Sequence, residues 1–147
     1  MSDTHNLLRP EAVEALKNVD LIIHAGDICN LKILEELRML APVVVVRGNN
    51  DKGPWVNEIP IYKVVEIDGI FIYVIHDIKE MNVYPAPLGI NVVISGHSHK
   101  PLIKEHNDIL YLNPGSAGPR RFNLPVSIAK LKVNGKDVKT EITQIIV

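Results

Sequence analysis

Val92-Val93-Ile94-Ser95-Gly96-His97-Ser98-His99 is the stretch that decides the fold, because a run of branched apolar residues passes directly into two histidines. A short apolar run of this kind is typical of a fully buried strand. His97 and His99 lie two residues apart, so on an extended chain both side chains point to the same side. The stretch therefore predicts a buried strand with two imidazoles at its carboxyl end.

The same arrangement recurs along the chain, where an apolar run is followed by a polar residue of a type that binds metals. These residues are Asp27 after 21–23, Asn49 after 43–46, and His76 after 70–75. Polar residues at the carboxyl ends of several buried strands converge on one edge of a sheet. Asp3-Thr4-His5 adds two candidates near residue 1, so the sequence predicts one shared metal site.

Length and composition indicate one domain, residues 1–147, with 46% hydrophobic residues to form its core. The formal net charge of −1 excludes a strongly basic surface, so nucleic acid is not an expected partner. Cys29 is the one cysteine, which excludes an internal disulfide and fits a reducing compartment. No membrane span or signal peptide is visible, and we expect a cytoplasmic protein.

The turn signals predict two helices, over 10–18 and 31–40, and several strands. Asn30 is the expected cap of the second helix, with Leu31, Leu34, Leu37 and Met39 facing the core. Single strands are predicted over 20–25, 43–47 and 91–95. Segment 78–89 receives no assignment, because Pro85 and Pro87 argue against a long helix.

Three hairpins complete the prediction. They pair 61–67 with 70–76 around Asp68-Gly69, 101–106 with 109–113 around Asn107-Asp108, and 126–133 with 137–146 across Asn134-Gly135. The first half alternates strands and helices, and the second half is mostly strands. We therefore expect an α/β fold, with two packed sheets between outer helices in an αββα sandwich.

Carboxylate and imidazole ligands suit Mn, Fe, Co, Ni or Zn better than Mg or Ca. No thiolate stands in a ligand position, which argues against a closed structural zinc site. Two metals about 3.5–4 Å apart could bind both oxygens of a phosphoryl group and lower the pKa of a bridging water. One carboxylate between the metals would hold that spacing, and Asp27 is the candidate.

These motifs resemble the calcineurin-like metallophosphoesterase superfamily. The residues that carry the resemblance are Asp3-x-His5, Gly26-Asp27, Gly48-Asn49-x-Asp51, His76 and Gly96-His97-x-His99. Asn113-Pro114-Gly115-Ser116, followed by Arg120 and Arg121, is similar to its small bacterial and archaeal phosphodiesterase branch. The match extends from residue 3 to about residue 131, and the family fold is a four-layer αββα sandwich of two mixed sheets.

The resemblance implies a role for each motif residue. One metal would be held by Asp3, His5 and His99, the other by Asn49, His76 and His97, and Asp27 would bridge them. Mn or Ni is the metal expected at the two positions, with Zn, Fe or Co as alternatives. Asp27, Asn49 and Asp51 would serve catalysis, and Asn50 would lie beside a small phosphodiester substrate. Arg120 or Arg121 would bind the substrate, or both are solvated charges in a loop. The sequence leaves open whether the chain forms a homo-oligomer.

Asn50 is a departure from the larger members of the superfamily, which have a histidine there that protonates the leaving group. Asparagine has no suitable pKa, so general-acid help of typically ~10²–10⁴-fold would be missing. Slow turnover and a preference for good leaving groups, such as aryl or cyclic esters, are then expected. Alternatively, Asn50 simply tolerates the turn geometry.

The amino-terminal segment is a second departure, because family members have a strand of about six residues before Asp-x-His. Here only Met1 and Ser2 precede Asp3. Either the start lies further upstream, or the first strand is missing or truncated. In the latter case we expect Asp3 and His5 on a mobile terminus and a weakly bound first metal.

Three functions remain open at this stage. The first is a two-metal phosphodiesterase, which all seven filled ligand positions favour. The second is a catalytically weak or inactive binding scaffold, because the family includes the retromer scaffold subunit, whose site has lost ligands. The third is a metal-stabilised structural domain.

Overall fold

The computed structural model describes residues 1–146. The strands are Ile22–His24 (β1), Val43–Val45 (β2), Tyr62–Ile67 (β3), Ile70–Ile75 (β4), Val92–Ile94 (β5), Leu102–His106 (β6), Ile109–Asn113 (β7), Ser127–Asn134 (β8) and Asp137–Gln144 (β9). The helices are Pro10–Ala15 (α1) and Leu31–Arg38 (α2), with short 3₁₀ helices at Pro54–Glu58, Ile78–Glu80 and Ala86–Leu88. Within the described residues, no helix has the length and apolar character that crossing a bilayer requires.

One mixed sheet of five strands, in the order β3-β4-β5-β7-β6, forms the centre of the fold. Its inner strands β4, β5 and β7 are parallel, and hairpin partners β3 and β6 run antiparallel at the edges. A second layer contains the parallel pair β1-β2 and the hairpin β8-β9. Because β4 and β5 are parallel, the residues that follow them leave the sheet at the same edge.

Three apolar clusters define the layers. Helices α1 and α2 pack on the β1-β2 layer through residues such as Ile22, Leu34 and Leu37. A second cluster fills the space between the two sheets, and a third lies under the outer 3₁₀ segments. Ile128 belongs to the first cluster and Ala129 to the second, so β8 lies in the same layer as β1. The predicted α/β sandwich is confirmed, with 3₁₀ helices as its thin outer layer.

Residues 1–3 lie beside β1 and are held on both sides. The ammonium of Met1 donates to the backbone oxygen of Ile23 at 2.9 Å, and the Asp3 amide donates to Gly26 at 3.0 Å. On the other side, the Ala117 amide donates to the backbone oxygen of Ser2 at 2.9 Å. The expectation of a mobile segment around Asp3 is therefore wrong, because residues 1–4 are buried and hydrogen-bonded.

A cavity of about 710 Å³ lies between β1, β8 and the five-stranded sheet, away from the predicted metal ligands. Met1 is one of its lining residues, together with mostly apolar side chains such as Ile23, Ile94 and Leu131. Burial lowers the pKa of the Met1 ammonium to about 5. Removing an ammonium from water is costly, so this end of the segment is stabilised less than its burial suggests.

Several element boundaries differ from the prediction. Helix α1 ends at Ala15, three residues early, and α2 ends at Arg38, so that Met39 is 86% exposed rather than inward. Pro42 disfavours a helical conformation in the residue before it, which shortens α2. The last hairpin turns at Gly135-Lys136, one residue later than predicted, because Asn134 pairs with Asp137.

Candidate metal centre

The structure brings all seven predicted metal ligands to one place, beyond the carboxyl ends of β1, β2, β4 and β5. Four of them are buried, namely Asp3, Asp27, His76 and His99. His5 is half-buried, and Asn49 and His97 are exposed. The cluster is therefore open to solvent on the side of Asn49 and His97, where a substrate can approach.

The first group of ligands surrounds one carboxylate oxygen. Oδ1 of Asp3 lies 3.4 Å from Nε2 of His99 and 3.6 Å from Nε2 of His5. The two imidazole Nε2 atoms are 3.2 Å apart. Within residues 1–146, this buried Oδ1 has no hydrogen-bond partner. An orphaned carboxylate oxygen facing two imidazole nitrogens is the donor set of a transition-metal ion.

The second group surrounds the side-chain oxygen of Asn49. This Oδ1 lies 3.0 Å from Nε2 of His76 and 3.2 Å from Nδ1 of His97. Nδ1–H of His76 donates to the backbone oxygen of Ala25 at 2.7 Å, so Nε2 is the nitrogen that faces the group. Such an outer hydrogen bond fixes the tautomer of a metal-binding histidine.

Asp27 lies between the two groups. Its Oδ2 is 3.6 Å from Nε2 of His5 in the first group and 3.3 Å from Nε2 of His76 in the second. Donor atoms of Asp3, Asp27 and His76 all lie within 4.8 Å of one another. This position is the one required of a carboxylate shared by two ions.

The carboxylates of the cluster are negatively charged at neutral pH. Burial alone would raise the pKa of Asp27, but His76 and two N–H groups of Asn50 lower it to about 2. Burial likewise opposes ionisation of Asp3, but His5, His99 and Ser2 hold its pKa well below the usual range. His76 has a raised pKa, because Asp27 and Asp3 outweigh its burial. Two buried carboxylates facing imidazoles attract divalent cations.

Asp51 ties the ligand loops together instead of facing the cluster. Its Oδ2 accepts from the amides of Asp27 at 3.0 Å and Gly48 at 2.8 Å, and its Oδ1 accepts from Cys29 at 2.8 Å. Gly48 is needed for this close approach, because a Cβ there would collide with the carboxylate of Asp27. Asp51 is therefore not among the candidate ligands, and its catalytic role stays a prediction.

Asn50 stands on the open side of the cluster, next to Asp27. Its backbone N–H donates to Oδ1 of Asp27 at 2.8 Å, and its side-chain amide donates to Oδ2 at 2.9 Å. The residue is exposed, and its side-chain amide lies against the Asp27 carboxylate.

Arg120 and Arg121 are exposed in the loop that follows Gly118. Within residues 1–146 neither guanidinium forms a hydrogen bond or ion pair, although the backbone oxygen of Arg121 accepts from the Leu124 amide at 3.1 Å. The start of this loop does contact the ligand segment, because the Ser116 hydroxyl donates to the backbone oxygen of Asp3 at 3.0 Å. A substrate-binding role for the two arginines stays a prediction.

His24 is a site residue that sequence reasoning missed. It is fully buried, its Nδ1 accepts from the Gly26 amide at 3.1 Å, and its Nε2 lies 3.1 Å from Oγ1 of Thr4. It thus links the loop that carries Asp27 to the segment that carries Asp3. Burial lowers its pKa to about 3, so it is neutral in the folded protein. The one indication in the sequence that His24 belongs to the site is its position three residues before Asp27.

Five of the seven ligands have left-handed backbone conformations. Their φ angles are 55° at Asp3, 44° at His5, 57° at Asp27, 69° at His97 and 62° at His99. Residues other than glycine rarely adopt such angles, and they concentrate at functional sites. The fold therefore holds these side chains in directions that regular strands or helices would not give.

Known proteins resemble this chain in sequence and in fold. A family model described as "Calcineurin-like phosphoesterase superfamily domain" matches residues 1–136. A probable metallophosphoesterase of Methanothermobacter thermautotrophicus is 39% identical over 154 residues, covering 97% of this chain and 88% of that protein.

Two solved structures illustrate the fold. The structure of an archaeal phosphodiesterase superposes with a TM-score of 0.74 at 28% identity, covering 97% of both chains. Vps29 of Chaetomium thermophilum superposes with a TM-score of 0.81 at 19% identity, covering 97% of this chain and 94% of Vps29. At this identity the similarity concerns the fold alone. From the family match over residues 1–136, the chain belongs to the calcineurin-like phosphoesterase superfamily.

Proposed function

We propose that the chain is a metal-dependent phosphodiesterase that hydrolyses small phosphodiesters at a centre of two divalent ions. The observation that carries the proposal is the convergence of all seven ligand side chains, with Asp27 between two groups of three. The name of the archaeal phosphodiesterase that superposes over 97% of the chain supports the choice of reaction.

The residues present fit two ions. Asp3, His5 and His99 would hold one ion, Asn49, His76 and His97 the other, and Asp27 both. The orphaned Oδ1 of Asp3 supports this assignment, because a buried anionic oxygen is stable only with a partner. Mixed nitrogen and oxygen donors favour transition metals, and we propose Mn or Ni, with Zn, Fe or Co as alternatives.

Two ions bound there would polarise the phosphoryl oxygens and lower the pKa of a water molecule toward neutrality. The side chains of the protein then orient the substrate. Asn50 can donate an amide N–H to a phosphoryl oxygen on the open side, but it cannot give a proton to the leaving group. The proposal therefore includes a preference for good leaving groups, such as aryl esters.

Small diesters are proposed because the open side of the centre is formed by short polar side chains, Asn49 and Asn50, beside His97. The net charge of −1 offers no extended basic surface for a polyanion. Arg120 and Arg121 follow Ser116, which bonds the ligand segment, and we propose that one of them pairs with a substrate oxygen.

The test combines metal content with hydrolysis of bis(p-nitrophenyl) phosphate by the purified protein. We expect two ions per chain and hydrolysis with Mn²⁺ or Ni²⁺ that a chelator removes. His97→Gln should abolish hydrolysis, whereas His106→Gln, the loss of an exposed histidine on β6, should not. Protein that binds two ions and still cleaves no aryl diester would overturn the proposed reaction.

A binding scaffold is the second candidate, and its support is the superposition on Vps29 with a TM-score of 0.81. Large exposed apolar side chains, such as Tyr84 at 85% and Leu88 at 60%, also suit a partner surface. The complete ligand set favours the enzyme. The same experiment separates the two candidates, because a scaffold predicts no metal-dependent turnover.

A further inference from the structure

His97 is the most exposed of the four candidate imidazoles, and its ring packs only edge-on against His76, at a centroid distance of 5.2 Å. Its side chain is 46% exposed, compared with 4% for His76 and 3% for His99. A ring this exposed rotates about its side-chain bonds unless a hydrogen bond holds it. Because His97 is a candidate ligand, some group must select the nitrogen that faces the centre.

Asp77 is the group placed to do so. Its Oδ2 lies 3.7 Å from Nε2 of His97, whereas Nδ1 of the same ring lies 3.2 Å from Oδ1 of Asn49. One ring nitrogen therefore faces the centre and the other faces a carboxylate. A metal binds the nitrogen without a proton, so the proton of His97 must be on Nε2, beside Asp77.

The carboxylate of Asp77 is itself held in place. Its Oδ1 accepts from the amide of Lys79 at 3.1 Å and caps the 3₁₀ helix Ile78–Glu80. This bond leaves Oδ2 free for His97. The gap of 3.7 Å closes to a hydrogen bond with a movement of roughly 0.8 Å, which an exposed ring can make.

We propose that Asp77 is a positioning residue that holds His97 with Nε2–H toward its carboxylate and Nδ1 toward the metal centre. The inference rests on the proposed two-ion function, and it assigns a residue outside the seven-ligand motif. A carboxylate behind a metal-binding histidine typically accounts for about 10–100-fold in metal affinity. Asp77 should therefore govern the affinity of the ion held by Asn49, His76 and His97.

Asp77→Asn is the informative change, because it keeps the shape and the capping oxygen. Its new amide group would donate toward Nε2 of His97 and so favour the tautomer with the proton on Nδ1, which cannot bind a metal there. Asp77→Ser also keeps a capping oxygen for Lys79 but removes the group that faces His97. Glu80→Gln is the matched control, since it removes one exposed negative charge from the same 3₁₀ helix.

The experiment measures Mn²⁺ binding by titration and the ¹⁵N shifts of the His97 ring in Zn²⁺-loaded protein. We expect Asp77→Asn and Asp77→Ser to weaken one of the two ions about 10–100-fold. The ring of His97 should also lose its Nε2–H signal, while Glu80→Gln matches the unmodified protein. Melting temperatures without metal should agree among all three variants, because each retains a cap or lies outside it.

Unchanged Mn²⁺ affinities and ¹⁵N shifts in Asp77→Asn would overturn the inference and leave Asp77 as a helix cap only. A lowered melting temperature without any change in metal affinity would overturn it in the same way. If the unmodified protein binds no second ion, the proposed function fails first, and the two failures are thereby distinguished.

Discussion

Replacing His24 with glutamine should make the folding stability of the metal-free protein less sensitive to acid. His24 is fully buried, and burial lowers its pKa from 6.5 to about 3. Between these values the unfolded chain binds a proton that the folded chain does not, so stability falls as the pH falls below 6.5. The glutamine variant has no such group and loses this part of the dependence.

The size of the effect follows from the two pKa values. Each pH unit below 6.5 costs about 1.4 kcal/mol, so the step from pH 6.5 to pH 5 amounts to about 2 kcal/mol. Asp3 and Asp27 also stabilise the folded protein, because folding lowers their pKa values from 3.8. This contribution is lost only as the pH falls below 3.8, outside that pH range. The Met1 ammonium, with its pKa near 5, titrates in both proteins and cancels in the comparison.

The assay is urea unfolding with a chelator present, at several pH values from 7 to 5, for the unmodified protein and His24→Gln. His106→Gln is the control, because it removes an imidazole that is exposed on β6. Parallel curves for the unmodified protein and His24→Gln would refute the reasoning. They would mean that His24 is protonated in the fold or becomes exposed before unfolding.

Four further changes test the site. Asp27→Ala should abolish hydrolysis and reduce the metal content, and full activity with two ions would remove its bridging role. Asn50→His should raise kcat for alkyl esters by about 10²-fold, more than for p-nitrophenyl esters, and an equal change for both would contradict a general-acid role. Lysine at Arg120 or Arg121 should raise KM, because a point charge does not replace a planar fork; unchanged KM in both would indicate solvated charges. An apolar strand of about six residues fused to Met1 should enter the 710 Å³ cavity and raise the melting temperature, whereas an equal effect from a polar strand would argue against entry.

The parts of the fold that depend on local pattern could be predicted from the sequence. Apolar runs and turn residues predicted every strand to within a few residues, because a short run of branched apolar residues such as 92–94 is typical of a buried strand. Helix ends were less accurate, since Met39 continues the apolar pattern although Pro42 prevents the helix from continuing.

Relations between distant segments could not be predicted in the same way. The anchoring of Met1 and Asp3 depends on backbone bonds to residues 23–26 and 117, which no local pattern contains. The contact between Asp77 and His97 likewise arises because β4 and β5 end side by side. For the second contact, the one signal in the sequence is that the polar residue Asp77 follows the predicted ligand His76.

The left-handed backbone of the ligands has a consequence for how such a site persists. Each of the five residues with positive φ stores roughly 1 kcal/mol of strain, so together they reach the order of a domain's net stability. At the exposed His97, glycine would relieve that strain and stabilise the metal-free chain. Selection for folding alone would therefore favour the loss of this ligand. The proposed ions would offset that strain, because they would bind only the folded arrangement of the seven side chains.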